Sequence, residues 1–181
     1  MNTSIESALV VLIPEAEALV EPFRKQFDPS AAMGVPAHVT ILYPFKSPDK
    51  LTNDVLSFLR NLFQELPSFN ALFTEIMRFP DAIFLAPEPA EPFRQMTMLI
   101  ANRFPDTPPY RGAFKEIVPH LTVAQVSDPQ QLEKIASDFY KATLGKLPIH
   151  TRVNRVSLLE KSSGYWRVRT QFSLFQDKRA S

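Results

Sequence analysis

The seven residues Ala37-His38-Val39-Thr40-Ile41-Leu42-Tyr43 have a near copy in Pro119-His120-Leu121-Thr122-Val123-Ala124-Gln125. Each copy is short, apolar and partly β-branched, and each carries His-x-Thr. Such a run favours a strand. Side chains alternate faces along a strand, so His38 and Thr40 point one way while Val39 and Ile41 point the other. His120 and Thr122 stand in the same relation to Leu121 and Val123. Each segment can therefore bury one face and present an imidazole beside a hydroxyl on the other. The chain has three histidines, and two of them sit in this pattern.

The surroundings of the two motifs also repeat. A strand is expected from Ser7 to Ile13. A helix follows over Glu15–Phe27, with Pro14 at its start, acids early and Arg24-Lys25 late, as the helix dipole prefers. Asp28 to Pro36 reads as a loop, Ala37 to Tyr43 as the first motif strand, and Pro48 to Leu66 as a helix with Leu51, Val55, Leu59 and Leu62 on one stripe. A strand from Phe69 to Phe79 turns at Pro80-Asp81. The order then restarts with a strand at Ala82–Ala86, a helix at Pro87–Phe104 and a Pro-rich loop at Pro105–Lys115. The second motif strand comes next, then a helix from Asp128 to Leu144 and a hairpin of Val153–Glu160 and Tyr165–Phe175 turned at Ser162-Ser163-Gly164. Short stretches of text correspond as well: Glu21-Pro22-Phe23-Arg24 resembles Glu91-Pro92-Phe93-Arg94, and Leu66-Pro67 answers Leu147-Pro148. The expected fold is α+β, one domain over residues 1–181. It has two pseudo-symmetric lobes, drawn roughly from 8–79 and 82–175, each an antiparallel sheet with helices on its outer face. The active cleft is expected between the lobes, a common place for small-molecule sites.

Composition narrows the chemistry. A net charge of +1 does not suit a strongly basic nucleic-acid binder, although it allows a nucleotide or a short RNA end. Cysteine is absent, which removes disulfides, thiolate nucleophiles and zinc–thiolate sites and fits a reducing, cytoplasmic setting. The apolar run Ala8–Ile13 is too short to span a bilayer, so no membrane association is expected. The four glycines, Gly34, Gly112, Gly145 and Gly164, form neither G-x-G-x-x-G nor a Walker loop. No cofactor and no stable protein partner are expected, and the chain reads as a monomer.

Two histidines facing one cleft suit acid–base chemistry near neutral pH. One neutral imidazole takes a proton from water or a hydroxyl, and the other, protonated, gives one to a leaving oxygen. A phosphodiester placed between them would be attacked in line, with its non-bridging oxygens in need of donors. Thr40 and Thr122 stand where such hydroxyls are wanted. No metal is needed for this chemistry. Metal ligation by the two histidines with an acid is the first rival, but no H-x-H, H-x-x-x-H or D-x-H cluster supports it. A non-catalytic nucleotide or RNA-end binder is the second. Tyr110, in the Pro-rich loop, is a candidate for stacking on a base, and Trp166, which alternates with Arg167 and Arg169 in the last hairpin, is a second candidate for substrate binding. Tyr43 should face the core by parity unless a bulge intervenes. His150 is expected on the surface. The tract from Arg152 to Arg179 holds seven Lys or Arg and can help attract a phosphate-bearing ligand.

Paired His-x-Thr strands within duplicated flanks resemble the 2H phosphoesterase superfamily, which includes bacterial 2′-5′ RNA ligases and cyclic phosphodiesterases. The resemblance runs from Ala8 to Phe175. Supporting text is Ile83-Phe84-Leu85-Ala86-Pro87-Glu88-Pro89, together with the run from Phe114 through Pro119-His120-Leu121-Thr122 to Ala124. It implies catalytic His38 and His120, phosphate-binding Thr40 and Thr122, and action on cyclic phosphates or 2′,5′ bonds in RNA or nucleotides.

Overall fold

A computed structural model describes residues 6–176. In chain order the elements are β1 (Glu6–Leu12), α1 (Pro14–Phe27), α2 (Pro29–Ala32), β2 (His38–Leu42), α3 (Asn53–Glu65), β3 (Phe69–Phe79), β4 (Ala82–Glu88), α4 (Glu91–Arg103), β5 (Leu121–Gln125), α5 (Pro129–Thr143), β6 (Ile149–Val153), β7 (Arg155–Ser162) and β8 (Tyr165–Ser173). Two four-stranded sheets result, ordered β2-β1-β7-β8 and β5-β4-β3-β6. Every neighbouring pair within them is antiparallel.

The α+β class and the paired antiparallel sheets are as expected, but the sheets do not follow the two halves of the chain. β3, from the first half, lies in the second sheet between β4 and β6, while β7 and β8, from the second half, complete the first sheet beside β1. The crossing point is Asn154, between β6 and β7. The expected hairpin strand beginning at Val153 is in fact two strands in two sheets. The side chains of Ile149, Thr151 and Val153 point into the core, and so do those of Val156 and Leu158. That change of parity at Asn154 lets the chain leave one sheet and enter the other.

Helix boundaries moved for local reasons. Pro48–Lys50 is a separate 3₁₀ turn, and α3 starts at Asn53 because the Thr52 hydroxyl caps it, accepting from the Val55 N–H at 3.4 Å. Within the expected 28–36 loop, the Asp28 carboxylate accepts from the Ser30 N–H at 2.9 Å and starts the short α2. β4 runs on to Glu88, so α4 begins only at Glu91.

The helices cover one face of each sheet. α1 and α5 pack on the second sheet, chiefly against β5 and β4, while α4 packs on β2 and α3 on β8. One large apolar cluster collects Val39 and Ile41 of β2, Leu121 and Val123 of β5, and the inward residues of all these helices. Burial of this continuous surface is the main driving force for the fold. A smaller cluster of Ala8, Val10, Val35, Leu159 and Trp166, with Leu12, Met33 and Tyr43 against it, lies on the opposite face of the first sheet. Among the described residues, no helix is long and apolar enough to cross a membrane.

Candidate active site

β2 and β5 are the edge strands of their sheets, and the two edges lie against each other. Their apolar faces enter one shared core, so their other faces open to the same side. Alternation holds along the start of both strands: Val39, Ile41, Leu121 and Val123 are buried, while His38, Thr40, His120 and Thr122 are only partly covered. Each strand then bulges at the same offset from its histidine. Val10 pairs with Thr40 but Leu9 pairs with Leu42, leaving Ile41 as the extra residue. Phe84 pairs with Thr122 but Ile83 pairs with Ala124, leaving Val123 as the extra residue. A bulge shifts every later side chain to the other face. Tyr43 therefore joins the site-side cluster rather than the main core, packing edge-on to Trp166 at 6.0 Å and donating to the Glu6 carboxylate at 2.9 Å. Plain parity would have placed Tyr43 in the core.

The two imidazoles are held alike. His38 Nδ1 lies 2.8 Å from the Pro36 carbonyl and His120 Nδ1 lies 2.7 Å from the Val118 carbonyl. A carbonyl oxygen only accepts, so each Nδ1 carries the proton. In the neutral ring Nε2 is then the free lone pair, and in the charged ring Nε2–H is the free donor. Charge on His120 is felt at His38, as expected of rings that share one environment. Burial lowers the His38 pKa to about 4, with the Arg24 charge acting in the same direction and the Pro36 carbonyl and Asp28 opposing. Burial also lowers His120, against the pull of the Val118 carbonyl. Both shifts favour the neutral ring.

Different neighbours create the two environments. His120 sits edge-on to Phe79 at 5.1 Å and to Phe84 at 5.6 Å, and those two rings stack at 4.3 Å. His38 lies near a buried ion pair instead. Arg24 Nε donates to Asp28 at 2.9 Å, Nη2 donates to Ser30 Oγ and to the Val35 carbonyl, and Nη1 has no partner among the described residues. These neighbours escaped the sequence reading. The repeated Glu-Pro-Phe-Arg text was the available signal for Arg24, whereas Phe79 and Phe84 carry none.

Tyr110 reaches the first motif. It lies in a 3₁₀ turn over Pro109–Gly112 in which Tyr110 and Arg111 have left-handed backbone, φ 50 and 57. Its N–H donates to the Tyr43 carbonyl at 2.6 Å, and its half-buried side chain lies near Thr40. Burial raises its pKa. Trp166, a candidate for substrate binding, is instead buried beneath Met33–Val35, with its backbone N–H donated to the Met33 carbonyl at 2.9 Å. Its ring is taken up by packing, because the 33–35 segment closes over that end of the first sheet. His150 is exposed on β6. In the basic tract, Arg169 pairs with Glu160. Among the described residues, Arg152 and Arg155 hydrogen-bond only neutral partners, and they line a cavity of about 570 Å³ together with Leu12, Pro36 and the acids Glu15 and Glu17. Lys178 and Arg179 lie outside the described residues. Among those residues, no group of three His, Asp or Glu is placed to hold a metal ion.

The arrangement offers two imidazoles with free Nε2 atoms, each two residues from a threonine hydroxyl. That set can move a proton in and a proton out around one tetrahedral anion.

The profile of the 2′-5′ RNA ligase superfamily matches residues 13–164 of the chain. Two Bacillus proteins, both named "Putative phosphoesterase", align over nearly their whole length. That of Bacillus licheniformis is 29% identical over 177 residues, covering 91% of this chain and 96% of the relative. That of Bacillus pumilus is 29% identical over 180 residues, covering 93% and 97%. Among solved structures, a protein of Thermus thermophilus superposes with a TM-score of 0.61 at 20% identity, covering 95% of this chain and 99% of its own. E. coli LigT in complex with NADP+ superposes with a TM-score of 0.60 at 16% identity, covering 94% and 98%. LigT has also been crystallised with 3′-AMP and with ATP. At these identities the solved structures establish the shared fold.

Proposed function

The chain belongs to the 2′-5′ RNA ligase superfamily, and from that premise we propose that it is a phosphoesterase acting on 2′,3′-cyclic or 2′,5′-linked phosphodiesters of nucleotides or RNA ends. His38 is the proton acceptor and His120 the proton donor. In hydrolysis His38 Nε2 takes a proton from water as the water oxygen bonds to phosphorus. The bond from phosphorus to the leaving ribose oxygen breaks, and His120 Nε2–H protonates that oxygen. With a ribose hydroxyl in place of water, the same steps on a 2′,3′-cyclic phosphate join that ribose to phosphorus and free one ring oxygen as a hydroxyl, which is ligation. Thr40 and Thr122 donate to the non-bridging oxygens. Tyr110 stands near Thr40 at the edge of this site.

The observation that carries this reading is the matched Nδ1-to-carbonyl bond in both motifs, which leaves both Nε2 atoms available. The buried Arg24 charge, with no counterpart acting on His120, supports the division of roles by disfavouring a second positive charge at His38. The nucleotides bound by LigT are consistent with a nucleotide-bearing substrate.

A panel of 2′,3′-cyclic nucleotides and 2′,5′-linked dinucleotides tests the proposal. His38→Ala and His120→Ala should each lower kcat by about 10²- to 10⁴-fold, and wild-type activity should survive EDTA. Undiminished turnover by the double variant on every substrate that the wild type accepts would end the two-histidine reading.

A further inference from the structure

The repeated Glu-Pro-Phe-Arg text has a structural counterpart that the acid–base scheme does not use. Phe23 and Phe93 anchor the two copies, meeting Phe139 at 5.0 Å and Phe69 at 5.2 Å. The next residue in each copy leaves the core and reaches a loop carbonyl. Arg24 Nη2 donates to the Val35 carbonyl at 3.0 Å, and Arg94 Nε donates to the Ile117 carbonyl at 3.0 Å. Val35 and Ile117 each stand three residues before a motif histidine. The following carbonyl in each loop, Pro36 or Val118, is the one that holds the imidazole.

We propose that Arg24 and Arg94 are a matched pair of positioning residues, each fixing through one carbonyl the peptide that sets the ring of its motif histidine. The inference rests on the reading of His38 and His120 as catalytic. The clamped carbonyl and the one that holds the ring belong to adjacent residues, and the second of these is stiff in both loops. In the first it is Pro36, whose ring fixes φ. In the second it is Val118, restricted because Pro119 follows.

In the second loop this anchoring is otherwise sparse. Among the described residues, segment 114–119 makes no backbone–backbone hydrogen bond, and its backbone is held by Arg94 at Ile117 and by the His120 ring at Val118. The clamp also couples the two motifs. α1 packs on β5 yet ties the loop leading to His38, and α4 packs on β2 yet ties the loop leading to His120. Each helix thus engages both motif segments, which fixes the spacing of donor and acceptor.

Arg94 provides the clean test, because it is only partly buried and its removal strands no buried carboxylate; its ion-pair partner Glu91 is exposed. Ring ¹⁵N NMR of the free wild-type protein should show both histidines locked with the proton on Nδ1. In Arg94→Gln, His120 should shift toward averaging of its tautomers while His38 stays unchanged. Turnover in that variant should fall about ten- to hundredfold in kcat, with KM little altered. Arg94→Lys, which keeps a donor, should recover part of the loss. Arg24→Lys should move His38 and not His120; if that buried substitution fails to fold, the Arg94 series decides. An unchanged His120 ring in Arg94→Gln overturns the proposal, and so does an equal disturbance of both rings with a fall in Tm, which marks a general packing role. The NMR arm needs no substrate. A disturbed His120 in a protein inactive on every phosphodiester would sink the functional reading and leave the clamp standing.

Discussion

At the scale of single residues, the governing fact is that partial burial lowers the pKa of both histidines. The proposed reaction needs one ring charged and one neutral, and that form is most populated between the two pKa values of the pair. With both values pushed below 6.5, and His38 to about 4, the maximum of kcat/KM should lie on the acid side of neutrality. A pH–rate profile on any accepted substrate checks this, and an optimum well above pH 7 would contradict it. The same shift has a consequence for stability. His38 titrates near 4 when folded and near 6.5 when unfolded, so in that interval the unfolded chain binds more protons. Stability should therefore be full above about pH 6.5 and fall as the pH is lowered toward 4. Thermal melts across that range should show a shallower fall for His38→Gln than for the wild type.

At the scale of elements, the strands and loops do more than carry the motifs. The bulges at Ile41 and Val123 end the alternation after His-x-Thr, so the two residues that follow in each strand enter the core instead of alternating. The junction of α1 and α2 hangs on the Arg24–Asp28 pair, whose side chains are 1% and 3% exposed. Asp28 also caps α2. Removing one partner leaves the other charge buried without compensation, so Asp28→Ala should cost about 3–5 kcal/mol. Urea or guanidinium unfolding of that variant measures the loss directly. A change below about 1 kcal/mol would show that water replaces the carboxylate easily.

At the scale of the whole molecule, the exchange of strands makes the two halves interdependent. A fragment ending near Asp81 would hold β1 and β2 without β7, and β3 without β4. Its complement would hold β7 and β8 without the central strand β1. Each would expose an unpaired sheet edge and the apolar face of helices that belong on the other fragment's sheet. Expressed apart, neither half should give a dispersed NMR spectrum, whereas mixing them should restore one. Independent folding of either half would mean that the sheets tolerate the loss of their exchanged strands.

Much of the local structure was legible in the chain because it depends on near neighbours. Alternation in Val39-Thr40-Ile41, prolines opening helices, and the restart of the pattern at Ala82 are properties of adjacent residues. They gave most of the strands and helices and the four motif residues, with limits displaced where a cap such as Thr52 competed with a proline, where Asp28 started α2, and where β4 ran on to Glu88. The family followed from the same local text, matched over residues 13–164. What the sequence alone could not determine was partnership. Nothing near Phe69 says that β3 pairs with β6, nothing near Trp166 says that Met33–Val35 will cover it, and a bulge shows only in the register against a neighbouring strand. The sequence by itself determined which side chains the chain has for moving protons and on which face of a strand they start. The tertiary structure decided where those faces meet, how dry they are, and which arginine holds each loop, because those outcomes depend on contacts between segments far apart in the chain.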